Sequence, residues 1–483
     1  FIDNTAIIVM IFFIRGDEIM GLTADKTFYP TAKMAMEAPA EELAYVATLN
    51  VHGKPDSLCT VDVNPNSPDY QKTVSELVLP NVGDELHHFG WNACSAHLCP
   101  YAPHPDVERR YLLIPGLRSS RLYIVDTKDN PKEPKIIKTI EPEEIMEKTG
   151  YSRPHTIHCG PEGIYVSALG GGSESGEGPG GIFLIDHLTL DVKGQWENDR
   201  GPQYYAYDFW WHLGHDRVVT SEWATPDLFE NGLNLEAAVG GKYGHKLHVW
   251  DLKTHNHLQE LDLGKENQMV LELRPSKNPK NTYGFVGVVV NTQDLSASIW
   301  TWYLDKGEWK IQKTITIPAQ PAAAEELPAP LKQFGAAPPL ITDINLSLDD
   351  KFLYVSCWGT GEIIQYDVSD PFNPKQTGLI EIGGVAKKKA HPSGAAASGG
   401  PQMVELSRDG KRLYFTNSLY SSWDDQFYDD IKGWFVKADI DLNGGFEIDK
   451  DFFMDFGDQR THQVRLQGGD SSSDSFCFPN EEN

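Results

Sequence analysis

The sequence contains few cysteines and no long hydrophobic run. Its six cysteines are scattered over 483 residues without a CxxC pair, which excludes a disulfide-stapled scaffold and argues against a structural zinc site. The early apolar run at residues 7–14 is too short to cross a bilayer, so we expect no stable membrane insertion. A P-loop, a GxGxxG before a helix and a GxSxG elbow are also missing, which argues against nucleotide-binding enzymes and α/β-hydrolases.

Positive charge is scarce as well. The chain carries 42 Lys and Arg against 69 Asp and Glu, a formal net charge of -27 at pH 7. Such an acidic surface repels phosphate backbones and anionic lipids, so we expect no nucleic-acid partner. The first residues lack the basic stretch and the small-residue cleavage site of a signal peptide, so we expect a cytoplasmic rather than a periplasmic location. We expect residues 1–26 to form an extension outside the fold.

What is present is a repeat: an apolar strand pattern that ends in an aspartate recurs along the chain. The copies end at Asp62, Asp126, Asp186, Asp251, Asp305, Asp367 and Asp439. All but the first are preceded by another strand pattern, which the chain enters through a polar turn. Repeats of this length cannot each bury a core alone, so they predict sheets packed side by side around a ring, as in a β-propeller.

The two ends of the chain complete the pattern. The first repeat has no inner strand before it, whereas residues 461–466 read as a strand with no blade after it. Placing that strand in the first blade closes the ring and removes an open sheet edge. The sequence therefore predicts an all-β, seven-bladed β-propeller over residues 27–483, with N- and C-terminal strands in one blade. Loop insertions are expected near residues 170–181, 318–339 and 383–401.

Several of the sixteen histidines cluster where the inner strands should begin. These candidates are His87, His88, His155, His158, His215 and His462. Imidazoles that converge from separate strands suit copper, zinc or iron, and an open coordination position could bind a small substrate. Residues three apart on a strand face opposite ways, so His155 and His158 can both face the channel only if their strand bulges.

Acidic residues and one cysteine are further candidates. Glu222, Asp343 and Asp208 fall at inner-strand positions, where they could orient ligand imidazoles, accept protons or satisfy backbone amides. Cys94 follows a histidine-containing stretch. A thiolate beside an imidazole would be nucleophilic, whereas a cysteine in a strand core is a small buried hydrophobe.

Long stretches of the chain carry a family resemblance. They are residues 84–94 (DELHHFGWNAC), 207–210 (YDFW), 221–224 (SEWA), 340–344 (LITDI), 346–350 (LSLDD), 400–403 (GPQM) and 418–424 (SLYSSWD). These stretches resemble the selenium-binding protein family, which includes the methanethiol oxidases. The resemblance implies a β-propeller oxidase that uses copper and converts methanethiol, dioxygen and water to formaldehyde, hydrogen sulfide and hydrogen peroxide. The family's shared histidines map onto all six candidate histidines.

We therefore expect a copper-dependent oxidase of small thiols. The expected ligands are His88, His155, His215 and His462, with His87 and His158 in support, and Glu222, Asp343 and Cys94 are the candidate catalytic groups. The alternative is a non-catalytic propeller that binds selenium or a metal as a scaffold. Histidines that converge within about 2 Å of one point would favour the oxidase, whereas scattered histidines and an exposed reactive cysteine would favour the scaffold.

Overall fold

Seven four-stranded antiparallel sheets form a closed ring in the part of the chain that the structure describes. The structure is a computed structural model, and it describes residues 18–19, 22–23, 27–98 and 107–476. The predicted extension, residues 1–26, lies outside the described residues except for two short paired strands, Glu18–Ile19 and Leu22–Thr23. The predicted seven-bladed β-propeller is confirmed.

Each blade is numbered in chain order, and its strands are given from the channel outward. The strands are Gln459–Leu466, Leu43–Asn50, Pro55–Asp62 and Lys72–Val82 in blade 1; Gly90–Trp91, Tyr111–Gly116, Arg121–Asp126 and Lys135–Ile140 in blade 2; Tyr151–Gly160, Gly163–Gly171, Gly181–Ile185 and Val192–Gln195 in blade 3; Phe209–His212, Arg217–Ser221, Lys246–Asp251 and His257–Asp262 in blade 4; Asn267–Pro275, Tyr283–Asn291, Ala297–Asp305 and Glu308–Ile317 in blade 5; Ile341–Leu346, Phe352–Cys357, Glu362–Asp367 and Lys375–Glu381 in blade 6; and Val404–Leu406, Arg412–Phe415, Gly433–Ile440 and Phe446–Gly457 in blade 7.

The ring closes as predicted, through a strand from the C-terminal part of the chain. Gln459–Leu466 pairs antiparallel with Leu43–Asn50, and Ala44 lies opposite Leu466. Blade 1 therefore has a complete inner strand, and Leu43–Asn50 is paired on both of its edges. The same pairing brings His462 to the channel.

In several blades the recurring aspartate explains the hairpin at the outer side. The Asp251 carboxylate accepts hydrogen bonds from the amides of Lys253 and Thr254, and the Asp186 carboxylate does the same for Leu188 and Thr189. An aspartate that satisfies the amides two and three residues later favours a tight turn. The repeat seen in the sequence is thus a turn signal between the third and fourth strands of the blades.

Short helices and loops cover the two faces of the ring. We call the face where the inner strands begin the front face and the opposite face the rear face. The α-helices are Ala32–Met36, Pro142–Thr149, Pro226–Phe229, Leu235–Val239 and Ser421–Phe427, and the 3-10 turns are Ser95–Leu98, Leu213–His215 and Ala324–Glu326. Residues 318–339 carry a further strand pair, Gln320–Pro321 with Ala336–Ala337. Among the described residues, no helix has the length and apolar character needed to cross a bilayer.

A segment near the C-terminus closes the rear end of the channel. Ser471 donates to the backbone carbonyl of Leu346, and the Trp211 indole donates to Ser475. The Lys277 ammonium donates to the carbonyl of Ser471, and Asp474 pairs with Arg109. The channel is therefore plugged at the rear, and its histidines lie toward the front.

Candidate metal centre

Four histidines from three blades face one another inside the channel. His87 and His88 precede the inner strand of blade 2, His155 lies on that of blade 3, and His462 lies on that of blade 1. The ring centroids of His87 and His462 are 3.9 Å apart, and those of His88 and His155 are 4.2 Å apart. All four side chains are buried, with at most 2% of their surface exposed.

Each of these rings has a buried nitrogen without a hydrogen-bond partner. The unpaired atoms are Nδ1 of His87 and Nε2 of His88, His155 and His462. Burial lowers the pKa of all four rings, for His462 to about 4, and neighbouring histidines lower the pKa of the other three further. The rings are therefore neutral at physiological pH, with lone pairs available to a metal. Buried polar atoms left unpaired in this way call for an explanation, and a bound cation supplies one.

Backbone and hydroxyl groups fix the orientation of two of the rings. His462 Nδ1 lies 2.7 Å from the carbonyl oxygen of Ser418, so Nδ1 carries the hydrogen and the lone pair is on Nε2. His155 Nδ1 lies 2.8 Å from the Thr156 hydroxyl, which also faces the carbonyl of Tyr207. Partners of this kind are typical of metal-ligating histidines, because they set the tautomer and the ring angle.

The spacing of the nitrogens fits a metal ion. Ligand atoms from His87, His88 and His462 all lie within 4.8 Å of one another. Two metal–nitrogen bonds of about 2.1 Å span at most roughly 4.2 Å, so small ring rotations bring the three atoms onto one ion. His155 lies against the same rings and offers a fourth ligand. An all-imidazole set accommodates copper, zinc or iron, and the geometry alone does not choose among them.

A bulge explains how His155 and His158 both reach the channel interior. The pairing of the first two strands of blade 3 shifts register between Pro154 and Ile157. The extra residue changes the alternation, so two histidines three positions apart can face the same side. They sit at different levels, however: His158 Nε2 lies 3.8 Å from Asp208, and its ring packs 3.9 Å from that of Trp210. His158 is thus beside the four-histidine cluster and not part of it.

A buried ionic cluster lies next to the histidines. The Arg274 guanidinium contacts Glu272 at 3.1 Å, Asp343 at 3.1 Å and Asp208 at 3.5 Å. Burial, together with the nearby Asp208 carboxylate, raises the pKa of Glu272 to about 8. The predicted residue Asp343 therefore lies in the channel, but its carboxylate binds Arg274 and the amide of Val404 and contacts no histidine of the cluster.

Glu272 connects the ionic cluster to the histidines, and the sequence analysis did not select it. Its Oε1 lies 3.6 Å from His88 Nδ1 and accepts a hydrogen bond of 3.1 Å from the Tyr207 hydroxyl. The signal was present in the sequence: Glu272 and Arg274 stand two residues apart in the otherwise apolar stretch 269–275. That spacing places both charges on the same face, toward the channel.

Three predicted site residues lie elsewhere. His215 is in the turn after the inner strand of blade 4, so it is at the rear end, with its ring 4.9 Å from that of His212. Glu222 accepts a hydrogen bond of 2.9 Å from His248 Nε2 within blade 4. Cys94 is buried and donates through Sγ to the carbonyl of Cys159 at 3.0 Å. The structure brings none of the three to the histidine cluster.

A small apolar cavity adjoins the cluster on the front side. It has a volume of about 20 Å³, enough for a few atoms. His87 lines it on one side, and the rest of its wall consists of Tyr207, Trp223, Met269, Leu271, Val289, Leu340, Thr342, Trp358, Leu419 and Trp423. A molecule bound here would contact the imidazole of His87 at one end and mostly apolar side chains elsewhere.

Comparison with known proteins identifies the family to which the chain is similar. The family described as 56 kDa selenium binding protein matches residues 22–477. A methanethiol oxidase from Xenopus tropicalis is 41% identical over 477 residues, covering 92% of this chain and 97% of that protein. Selenium-binding protein 1 from Arabidopsis thaliana is 40% identical over 479 residues, covering 92% and 94%.

A solved structure extends the similarity to three dimensions. The crystal structure of a hypothetical selenium-binding protein from Sulfolobus tokodaii is 56% identical and superposes with a TM-score of 0.92, covering 94% of this chain and 100% of that one. A family match over nearly the whole chain and relatives at this level of identity leave no doubt about kinship. The chain belongs to the selenium-binding protein family.

Proposed function

We propose that this protein is a copper-dependent oxidase of methanethiol and similarly small thiols. The observation that carries the proposal is the cluster of four neutral, buried imidazoles with unpaired nitrogens, next to an apolar cavity of about 20 Å³. Relatives named methanethiol oxidase support it, with 41% identity in the example from Xenopus tropicalis. His87, His88, His155 and His462 would hold the metal.

The proposed reaction consumes methanethiol, dioxygen and water and yields formaldehyde, hydrogen sulfide and hydrogen peroxide. The carbon loses two electrons, its bond to sulfur breaks, and dioxygen gains the two electrons as peroxide. Copper supplies the redox centre that this exchange with dioxygen needs, and soft sulfur suits it as a ligand.

The residues around the metal have separate tasks in this proposal. The carbonyl of Ser418 and the hydroxyl of Thr156 hold the rings of His462 and His155 in place. Trp223, Trp358 and the other apolar side chains of the cavity hold the methyl group and exclude water. The small volume favours a one-carbon thiol, because each extra methylene must be fitted against packed side chains.

The rival function is binding of selenium without catalysis, which the names of several relatives suggest. Covalent selenium binding needs a reactive thiolate. Cys59, Cys94, Cys159 and Cys357 are all buried, and burial raises the pKa of Cys59 to about 12 and that of Cys159 and Cys357 well above the usual range. Cysteines in such surroundings are inert, so the described part of the chain favours the oxidase.

Product analysis with the copper-loaded protein tests the proposal. With methanethiol as substrate, we expect oxygen uptake matched by equal amounts of formaldehyde, sulfide and peroxide. The His462→Ala variant should have lost this activity while it still melts cooperatively. A folded, copper-loaded protein that consumes no oxygen with methanethiol would contradict the oxidase, and stoichiometric binding of selenite by the same sample would then support the rival.

A further inference from the structure

A second apolar cavity lies directly outside the one beside His87. We call the cavity next to His87 the inner cavity and this second one the outer cavity. The outer cavity has a volume of about 60 Å³. Met269, Leu340 and Trp423 line both cavities, so these three side chains form the partition between them.

The outer cavity is built by segments added to the propeller on its front face. The helix Leu235–Val239 lies on one side, the helix Ser421–Phe427 on another, and residues 331–338 of the insertion between blades 5 and 6 complete the wall. Val239 is 68% exposed and Phe334 is 37% exposed, which places the mouth of the cavity between them. The outer cavity thus connects the front surface to the partition.

The walls of the outer cavity exclude charged and strongly hydrated molecules. Apart from Thr292, its lining consists of apolar side chains, one of them the thioether of Met269. Cavities lined in this way stay dry and accept small apolar ligands such as xenon or benzene. A free cysteine thiol has a pKa near 8.5 and an alkyl thiol is a weaker acid still, so an alkyl thiol is neutral at pH 7 and can pass, whereas zwitterionic thiols cannot.

The backbone at the partition is strained in two places. Met269 has φ +62° and Leu340 has φ +51°, both in the left-handed region that large side chains rarely adopt. The Met269 amide donates to Gly244 and the Leu340 carbonyl accepts from Trp358, which holds both residues in place. Such strain is concentrated at ligand clamps and switches. Here it directs two bulky side chains into the path to His87.

We propose that the outer cavity is the access passage for a neutral alkyl thiol and that Met269, Leu340 and Trp423 select it by size. This inference rests on the proposed oxidase function for the identity of the molecule that passes. The passage itself is a property of the structure that can be measured without turnover. A one-carbon thiol can pass between these three packed side chains with little displacement of the side chains, whereas each extra methylene forces them further apart.

Xenon binding tests the passage independently of copper and activity. We expect xenon to occupy the outer cavity in crystals of the protein under xenon pressure. An Ala238→Leu variant, which adds carbon atoms inside this cavity, should show a loss of that occupancy. The unsubstituted protein serves as the reference. Absence of xenon from both cavities would overturn the passage.

Substrate selection tests the partition. Met269→Ala should raise the ratio of kcat/KM for butanethiol to that for methanethiol by about tenfold or more, since a few methylenes of fit carry 10–200-fold discrimination. Met454→Ala, which shortens a buried methionine in blade 7, is the matched control and should leave the ratio unchanged. Equal ratios in Met269→Ala and Met454→Ala would overturn the size filter.

A substitution at the mouth avoids any dependence on core packing. Val239→Trp places a large ring over the opening on an exposed helix position, and Leu442→Trp does the same at an exposed site in blade 7. We expect a severalfold rise of KM for methanethiol with unchanged copper content in the first variant only.

If xenon binds but no thiol supports oxygen uptake, the passage stands and the oxidase proposal falls. If uptake occurs but Val239→Trp leaves KM unchanged, the passage falls alone.

Discussion

At the scale of single residues, whether a histidine can bind the metal depends on which end of an inner strand it occupies. His88 lies before an inner strand, at the front, whereas His215 lies after one, at the rear. Both were expected to be ligands because each adjoins an inner-strand pattern in the sequence. Adjacency along the chain does not tell the start of a strand from its end when the strand is only a few residues long, as Phe209–His212 is.

The two histidines therefore give opposite results when substituted. His88→Ala removes a buried nitrogen that faces the cluster, so copper affinity should fall by more than the roughly 10–100-fold that loss of an outer partner costs. His215→Ala should leave copper affinity unchanged. Titration with a competing chelator measures both. Equal loss of affinity in the two variants would contradict the arrangement of ligands described above.

Arg274 neutralises a group of buried carboxyl side chains in the channel. Its guanidinium is the cation shared by Asp208, Glu272 and Asp343, and all four side chains are buried. Arg274→Met leaves these carboxyl groups without their counter-ion, so the free energy of unfolding should fall by about 3–5 kcal/mol. Urea denaturation at pH 7 measures the change.

A surface pair provides the comparison for that variant. Arg217 binds Asp251 at 2.9 Å with 29% of its side chain exposed, so Arg217→Met should cost less than about 1 kcal/mol. Similar costs for Arg274→Met and Arg217→Met would show that the buried cluster does not depend on its arginine.

At the scale of strands, the hairpins were predictable and the bulges were not. An aspartate at a strand end followed by polar residues is a local turn signal, and the seven copies agree with the seven blades. A register shift such as that between Pro154 and Ile157 depends on the partner strand, which the local pattern does not contain. The sequence showed that His155 and His158 can both face inward only if their strand bulges, but it did not show that the bulge is present.

The contact between the strands that position His88 and His155 makes a prediction at this scale. A Cβ on Gly90 would lie 2.3 Å from the carbonyl oxygen of Ile157, at the blade 3 bulge. Gly90→Ala must therefore push apart the strands that position His88 and His155. We expect copper affinity to fall about tenfold or more while the fold is retained, in the range seen when support of a ligand is lost.

The matched control for that change is Gly287→Ala in blade 5. A Cβ there would meet side-chain carbons of Ile341 and Ile344 at 3.1 and 3.6 Å, which can give way more easily than backbone. Copper affinity in this variant should match that of the unsubstituted protein. If Gly90→Ala binds copper as well as Gly287→Ala does, the spacing of these two strands does not control the site.

At the scale of the whole molecule, closure of the ring and formation of the site are the same event. The strand Gln459–Leu466 completes blade 1 and also carries His462 into the channel. Closure could be predicted because a missing strand at one end of the chain matched a surplus strand at the other. The plug at the rear of the channel could not, because residues 467–476 carry no periodic pattern and are held by contacts with distant parts of the chain.

Ending the chain after Gly457 should therefore abolish both closure and metal binding. The strand Leu43–Asn50 would become an open edge, and we expect aggregation and loss of a single cooperative melting transition. Light scattering measures the aggregation, and circular dichroism measures the loss of the cooperative melting transition. A chain ended after Phe476 retains the strand and the plug and should behave like the full chain. A monomeric, cooperatively melting protein that ends at Gly457 would show that the ring does not need this strand.

The position of bound copper decides whether the four histidines are a metal site. Diffraction data collected at the copper absorption edge from crystals of the copper-loaded protein locate the ion directly. We predict one strong anomalous peak in the channel, about 2.0–2.1 Å from ring nitrogens of His87, His88, His155 and His462. A channel without such a peak, with copper found instead at His245, His248 or His257 of blade 4, would contradict the metal centre and the oxidase that depends on it.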